Sequence, residues 1–252
     1  MKQALAFCAL LSLATASSPA VAEWPANLHY ERFRWAESTT PGVTETGPRA
    51  GIGASWTQNK ASGWLAAYRG ELYRGSVHYS GAYLFSGAPA EGTTQYFGIL
   101  NELQGIYRSS GGGAQLVTGL GVDYWERKLS ENQKEEWTVF FVRLGGELGG
   151  GRTTRGWFAA GGVKYPIYVE EDAHLTDIGF DQNPRLHPGG AASTYLEIGY
   201  RFSRQWTLNG YYDSYRFKES PTARVTSGGT AFLVFQPTSS VDTVGLRLHF
   251  HF

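Results

Sequence analysis

The chain is short of cysteine, of long apolar runs and of net charge, and each shortage removes a class of explanation. Its one cysteine, Cys8, lies within the first 22 residues. If those residues are removed as an export leader, the rest carries no disulfide, no thiolate nucleophile and no cysteine metal site. No later segment supplies the roughly 18 to 20 uninterrupted apolar residues that a membrane-crossing helix needs. Lysine and arginine together number 22, as do aspartate and glutamate. There is no basic excess to attract nucleic acid, so no nucleic-acid partner is expected.

The leader itself has a recognisable order. Lys2 is followed by an apolar run from Ala4 to Ala14, then by Ala20-Val21-Ala22 ahead of Glu23, the succession that a secretory signal requires. Cleavage is expected near Ala22, leaving residues 23–252 as one domain. That domain is rich in what the leader lacks: the chain holds 33 glycines and 15% aromatic residues, with a slightly polar mean hydropathy of −0.30. A soluble all-β domain fits these values, and so does a barrel whose strands spend half their positions on a polar interior.

Periodicity separates the two. Apolar residues recur at every second position, the repeat of a strand with one apolar face. In the last segment Val244, Leu246, Leu248, Phe250 and Phe252 share one parity, and Thr243, Gly245, Arg247, His249 and His251 the other. The pattern predicts ten strands, at 28–37, 49–58, 63–74, 94–108, 113–127, 136–148, 156–168, 190–202, 206–217 and 241–252, with eight or twelve as the neighbouring counts. Residues 230–235, an apolar run inside the last long connection, are the place where a further hairpin would hide.

Connections between these strands alternate in length. Asn59 to Ser62, Ser109 to Gly112, Gly149 to Arg155 and Ser203 to Gln205 are short and rich in glycine and small polar residues; those between them are long. Trp64, Trp157 and Trp206 each follow a short turn, where an interfacial aromatic girdle belongs. Together with the leader and the cysteine-free mature chain, these features resemble the bacterial outer-membrane β-barrel proteins over residues 23–252. The resemblance implies an all-β, antiparallel up-and-down transmembrane barrel in a Gram-negative outer membrane, in contact with lipid and lipopolysaccharide. It also implies assembly through a closing strand whose final aromatic, Phe252, is read by the barrel-assembly machinery.

On that reading the inward parity carries Arg32, Arg34, Arg69, Arg127, Arg143, Lys164, Arg201 and Arg247 against Glu71, Glu102, Asp123, Glu147, Glu197 and Asp213. About eight strands are just filled by side chains and open aqueous channels appear at about sixteen, so ten strands so lined predict interlocked ion pairs rather than a wide porin-like pore. The expected role is structural, interactive or narrowly transporting. The alternative is an enzyme at the external rim, a lipid hydrolase or a protease similar to the ten-stranded omptins.

Three patterns bear on that alternative. Asp172-Ala173-His174, placed in the fourth external loop, resembles the omptin Asp-x-His unit, in which a carboxylate orients an imidazole to activate water; the second acidic pair of that family has no counterpart here. His78-Tyr79-Ser80 resembles the His-x-Ser of outer-membrane phospholipases, with Glu91 the nearby acid able to orient the histidine. If the third strand continues without a bulge, His78 and Ser80 face outward. His249 and His251 are adjacent on the inward parity, but no third ligand is apparent, so neither a metal nor another cofactor is expected.

Overall fold

The computed structural model describes residues 24–82, 87–111, 113–149 and 155–252; the expected leader, residues 1–22, lies outside them. In chain order the strands are β1 Pro25–Glu37, β2 Val43–Thr57, β3 Gly63–Ala82, β4 Pro89–Arg108, β5 Ala114–Ser130, β6 Gln133–Leu148, β7 Gly156–Ala173, β8 Arg185–Leu186, β9 Gly190–Ala191, β10 Ser193–Arg201, β11 Trp206–Phe217, β12 Ala223–Ser227, β13 Thr230–Val234 and β14 Ser239–His251. Ten of them, β1 to β7 with β10, β11 and β14, form a closed antiparallel barrel. The ring closes where β7 pairs with β10 and where β1 pairs with β14. All ten correspond to predicted strands.

Parity works as expected through the lower part of the wall. Leu28, Tyr30, Ile52, Leu72, Leu103, Leu120, Leu144, Val163, Ile198 and Leu246 stand exposed on the outside, while Glu71, Glu102, Asp123, Arg143, Lys164 and Arg247 are buried within. Trp64, Trp157 and Trp206 are exposed at the turn end. On β3 the outer apolar stretch from Trp64 to Leu72 spans nine positions, close to the roughly 9–11 residues with which a tilted strand crosses a bilayer.

Above that belt the pattern inverts, on β1 without any change of register and on β7 with a bulge at Ile167 that turns Val169 and Glu171 inward. On β1 Leu28 and Tyr30 face out, and so do Arg32 and Arg34, while Phe33 and Trp35 are buried inside. The two arginines therefore belong to the outer face and not to the lumen lining expected for them. The cause is a change of solvent: beyond the hydrocarbon the outside meets water and headgroups, and the inside becomes an apolar core.

The same change hid strand length. β2, β3, β4 and β7 run to Val43, Ala82, Pro89 and Ala173 at their external ends, beyond the predicted limits of 49, 74, 94 and 168. His78, Ser80 and Glu91 consequently lie on strands rather than in a loop, as does Asp172. The apolar run at 230–235 forms a hairpin: β12 pairs with β13. With Leu175 and Phe180 it builds a small apolar cap in which Phe180 and Phe232 meet at 5.6 Å.

Two layers fill the lumen. The upper one is aromatic: Trp35, Trp137, Phe33, Phe141 and Phe217 are at most 1% exposed, and Trp125 stacks on Trp137 at 5.6 Å with ring planes 6° apart. Inward glycines make room for it, since a Cβ on Gly98 would lie 2.3 Å from the Tyr73 ring and one on Gly121 2.3 Å from Phe141. The lower layer is ionic. Arg247 and Arg69 reach Glu71 at 3.0 and 2.9 Å, Arg143 reaches Glu102 at 3.2 Å, Lys164 reaches Asp213 at 2.6 Å and Arg49 reaches Glu31 at 2.6 Å. Tyr73 and Tyr215 donate to the two oxygens of Asp123. A cavity of only about 50 Å³ remains among these groups.

Candidate functional site

Above the aromatic layer the barrel opens outward into a vestibule of about 770 Å³. Its floor is built on the inward parity of the strand extensions. Glu37 follows Trp35 by two residues on β1, Glu135 precedes Trp137 by two on β6, and Arg127 follows Trp125 by two on β5, so each charge stands directly above an aromatic of the layer. Trp35 Nε1 donates to Glu37 at 2.8 Å and Trp137 Nε1 to Glu135 at 3.4 Å. The guanidinium of Arg127 lies 4.8 Å from the centre of the Trp35 ring, within cation–π reach.

Arg127 is surrounded by carboxylates. It pairs with Glu135 at 2.8 Å, Glu45 at 2.9 Å and Glu37 at 3.3 Å. Glu45, from β2, also accepts from Thr94 Oγ1 at 2.9 Å and from the Tyr96 hydroxyl. A fourth acid, Glu171 on β7, lines the same vestibule and is 2% exposed. Its Oε2 has no hydrogen-bond partner among the described residues. Among the described residues, one cation, Arg127, thus faces four acids.

These groups stand above the hydrocarbon, because their strand neighbours on the outer face are Glu126, Lys134, Glu136 and Asp172. The charge imbalance appears in their acidities. Burial, and then the neighbouring Glu135, hold the Glu171 carboxyl well above the ordinary carboxylate range. Burial also raises Glu135, against the opposing pull of Arg127. An additional cation in the vestibule would relieve both.

The candidate catalytic residues singled out by sequence lie on the outer face. His78 Nε2 contacts Glu91 Oε2 at 2.7 Å and Ser80 Oγ donates to Glu91 Oε1 at 2.9 Å; His78 and Glu91 are 67% and 62% exposed. The three converge, with the carboxylate in the middle. A serine relay has the imidazole there, between acid and hydroxyl. Asp172 faces Arg185 at 3.7 Å and His174 faces Glu136 at 3.4 Å, so the two halves of the Asp-x-His unit look to different partners. Burial works to raise Glu136, but the hydrogen bond it accepts from Lys134, the charge of that lysine and the neighbouring His174 together outweigh this and hold it below the usual carboxylate value.

At the opposite end His249 contacts Asn209 at 3.0 Å and His251 contacts Thr207 at 3.0 Å. No cluster of three or more histidine, aspartate or glutamate side chains able to hold a metal ion occurs among the described residues. The acidic floor was not singled out from sequence, although its signal was there: Trp35-x-Glu37, Trp125-x-Arg127 and Glu135-x-Trp137 repeat an aromatic and a charge on one parity.

No model of a known protein family matches the chain, and no curated protein matches it. Solved structures do. The outer membrane protease OmpT from Escherichia coli superposes with a TM-score of 0.58 at 12% identity, over 95% of this chain and 99% of that one. The transport unit of the autotransporter AIDA-I from Escherichia coli gives 0.45 at 10% identity, over 96% and 94%. The translocator domain of NalP from Neisseria meningitidis gives 0.42 at 8%, over 90% and 88%. The likeness is one of fold, and the fold is that of the bacterial outer-membrane β-barrels.

Proposed function

We propose that this chain is a non-conducting outer-membrane binding protein whose external vestibule receives a positively charged group, an ammonium or guanidinium presented from outside the cell. The observation that carries this reading is Glu171, a buried carboxylate with an unpartnered oxygen on the wall of a roomy cavity. A buried acceptor left unsatisfied costs about 1–3 kcal/mol, more when charged. A cation seated against it recovers that cost and offsets the excess of acids around Arg127. The filled lumen supports the non-conducting half of the reading.

The test is a titration of the refolded protein with argininamide, followed by tryptophan fluorescence because Trp35 and Trp137 lie beneath the floor. Saturable binding is expected, weakened about tenfold by Glu171→Gln, which corresponds to about 1.4 kcal/mol. Binding that ignores this substitution, or a large steady conductance in planar bilayers, would overturn the proposal.

A second reading, an enzyme at the external rim, draws on the meeting of His78, Ser80 and Glu91, with Asp172 and His174 as a further acid–imidazole pair. Lipid or peptide release that disappears in His78→Ala or His174→Ala would favour it. Under either reading, export through residues 1–22 and assembly through the closing strand ending at Phe252 complete the proposal.

A further inference from the structure

We infer that the outer face of β1 and β3 carries a seat for the phosphate of an outer-leaflet lipid, formed by Arg32, Arg34 and Arg74. All three point away from the lumen and are exposed. None makes a hydrogen bond, ion pair or ring contact with a described residue. Neighbouring outward charges are matched: Arg216 with Asp242 at 2.6 Å, Lys134 with Glu136 at 2.8 Å and His78 with Glu91 at 2.7 Å. Lys128, also without an ion-pair partner among the described residues, extends the cationic side toward β5.

Their height on the wall identifies the ligand. Arg32 comes two residues after the exposed Tyr30, and Arg74 two after the exposed Leu72, so the arginines begin where the apolar belt ends. β2 lies between them: Arg32 is opposite Pro48, and Arg74 is opposite Ala50. With strands about 4.8 Å apart and residues about 3.4 Å apart along each strand, the Arg32 and Arg74 backbones are roughly 12 Å apart. Two long side chains reaching toward each other across the outer face from that distance can share one headgroup. Proline and alanine between them offer neither a competing anion nor bulk.

Guanidinium is the side chain that matches a phosphate with two parallel hydrogen bonds. Just below, Leu28, Tyr30, Ile52 and Leu72 present apolar surface for the acyl chains of the same molecule. The ligand class is therefore a phosphorylated lipid with its headgroup at the upper edge of the belt. This seat is independent of the vestibule, which opens on the other side of the wall.

The test compares wild type with the triple variant Arg32→Gln, Arg34→Gln, Arg74→Gln, both folded in detergent. Each is offered the diphosphorylated lipid anchor of lipopolysaccharide, the same lipid after phosphatase treatment, and inorganic phosphate, and retained lipid is read by native mass spectrometry. Retention of the phosphorylated lipid by wild type and a loss of at least about tenfold in the variant are expected. Equal retention of the dephosphorylated lipid, retention unchanged in the variant, or displacement of the lipid by millimolar inorganic phosphate would each overturn the proposal. Heat-modifiable migration of the variant checks folding. Should the triple variant not fold, the Lys replacements at the same positions serve instead, with a smaller but measurable loss expected because the charge remains while the two-pronged geometry is removed.

Discussion

Trp35 and Trp137 meet edge to face across the barrel, with ring centres 5.0 Å apart and planes inclined at 73°. They belong to β1 and β6, on opposite sides of the ring, so their contact bridges the lumen. Among the described residues, Arg127 with its carboxylates and the vestibule lie above them, and the rest of the aromatic layer followed by the ionic layer lies below. The contact is thus the seal of the barrel as well as the base on which Arg127 and its carboxylates stand.

Trp137→Ala should therefore weaken the barrel more than any surface change. Both tryptophans are fully buried, and truncating such a ring typically costs about 3–5 kcal/mol. Urea unfolding in lipid vesicles, compared between wild type and variant, measures the loss. A loss below about 1 kcal/mol would mean that the aromatic layer does not bear the packing load assigned to it.

How much of this was legible in the sequence depended on what surrounds each segment. Between Trp64 and Leu72 lipid outside and ion pairs inside give opposite chemistries to the two parities, and both strand and register can be read. At Arg32 and Phe33 the parities exchange chemistry while the backbone continues unchanged. A reader who follows apolar residues to one side there assigns the arginines to the wrong face. The extensions to Ala82 and Ala173 were missed for a related reason, because their outer faces carry Ser76, His78, Glu170 and Asp172, which read as loop. The hairpin at 230–235 kept its apolar run and could be noticed. The acidic floor could not be assembled, because Glu37, Glu45, Glu135 and Glu171 come from four strands and only closure of the ring brings them around Arg127.

Glu171 gives a pH dependence whose direction is fixed. Its carboxyl holds a proton in the folded state to a pH well above the ordinary value of 4.5. Between those limits the folded state binds more protons than the unfolded one, so stability falls as pH rises through the window, by up to about 1.4 kcal/mol per pH unit for one group. Glu171→Gln should remove that slope and leave the variant more stable at neutral pH. Cation binding runs the other way: the ligand favours the ionised form and must displace the proton, so affinity should fall on acidification. Argininamide titrations at several pH values test both. Parallel pH profiles for wild type and variant would show that Glu171 is not the linked group.

The ionic layer and the aromatic layer make separable contributions, and Arg247 tests the separation. Its guanidinium is 3% exposed and reaches Glu71 at 3.0 Å and Glu197 at 3.7 Å, while Arg69 holds Glu71 from the other side at 2.9 Å. Removing one member of such a buried set leaves uncompensated charge and typically costs about 3–5 kcal/mol. Arg247→Met should therefore destabilise strongly. Adding Glu71→Gln should recover part of the loss, because the stranded carboxylate is neutralised with the cation already gone. A double-mutant cycle in vesicle-embedded protein reads the coupling between the two, expected at about 0.5–3 kcal/mol for residues in one network. On the proposed non-conducting reading, conductance should be absent in wild type and in each of these variants, since the tryptophan contact lies higher in the lumen and is untouched. Should Arg247→Met open a conducting path while Trp137→Ala does not, the barrier would belong to the ionic layer.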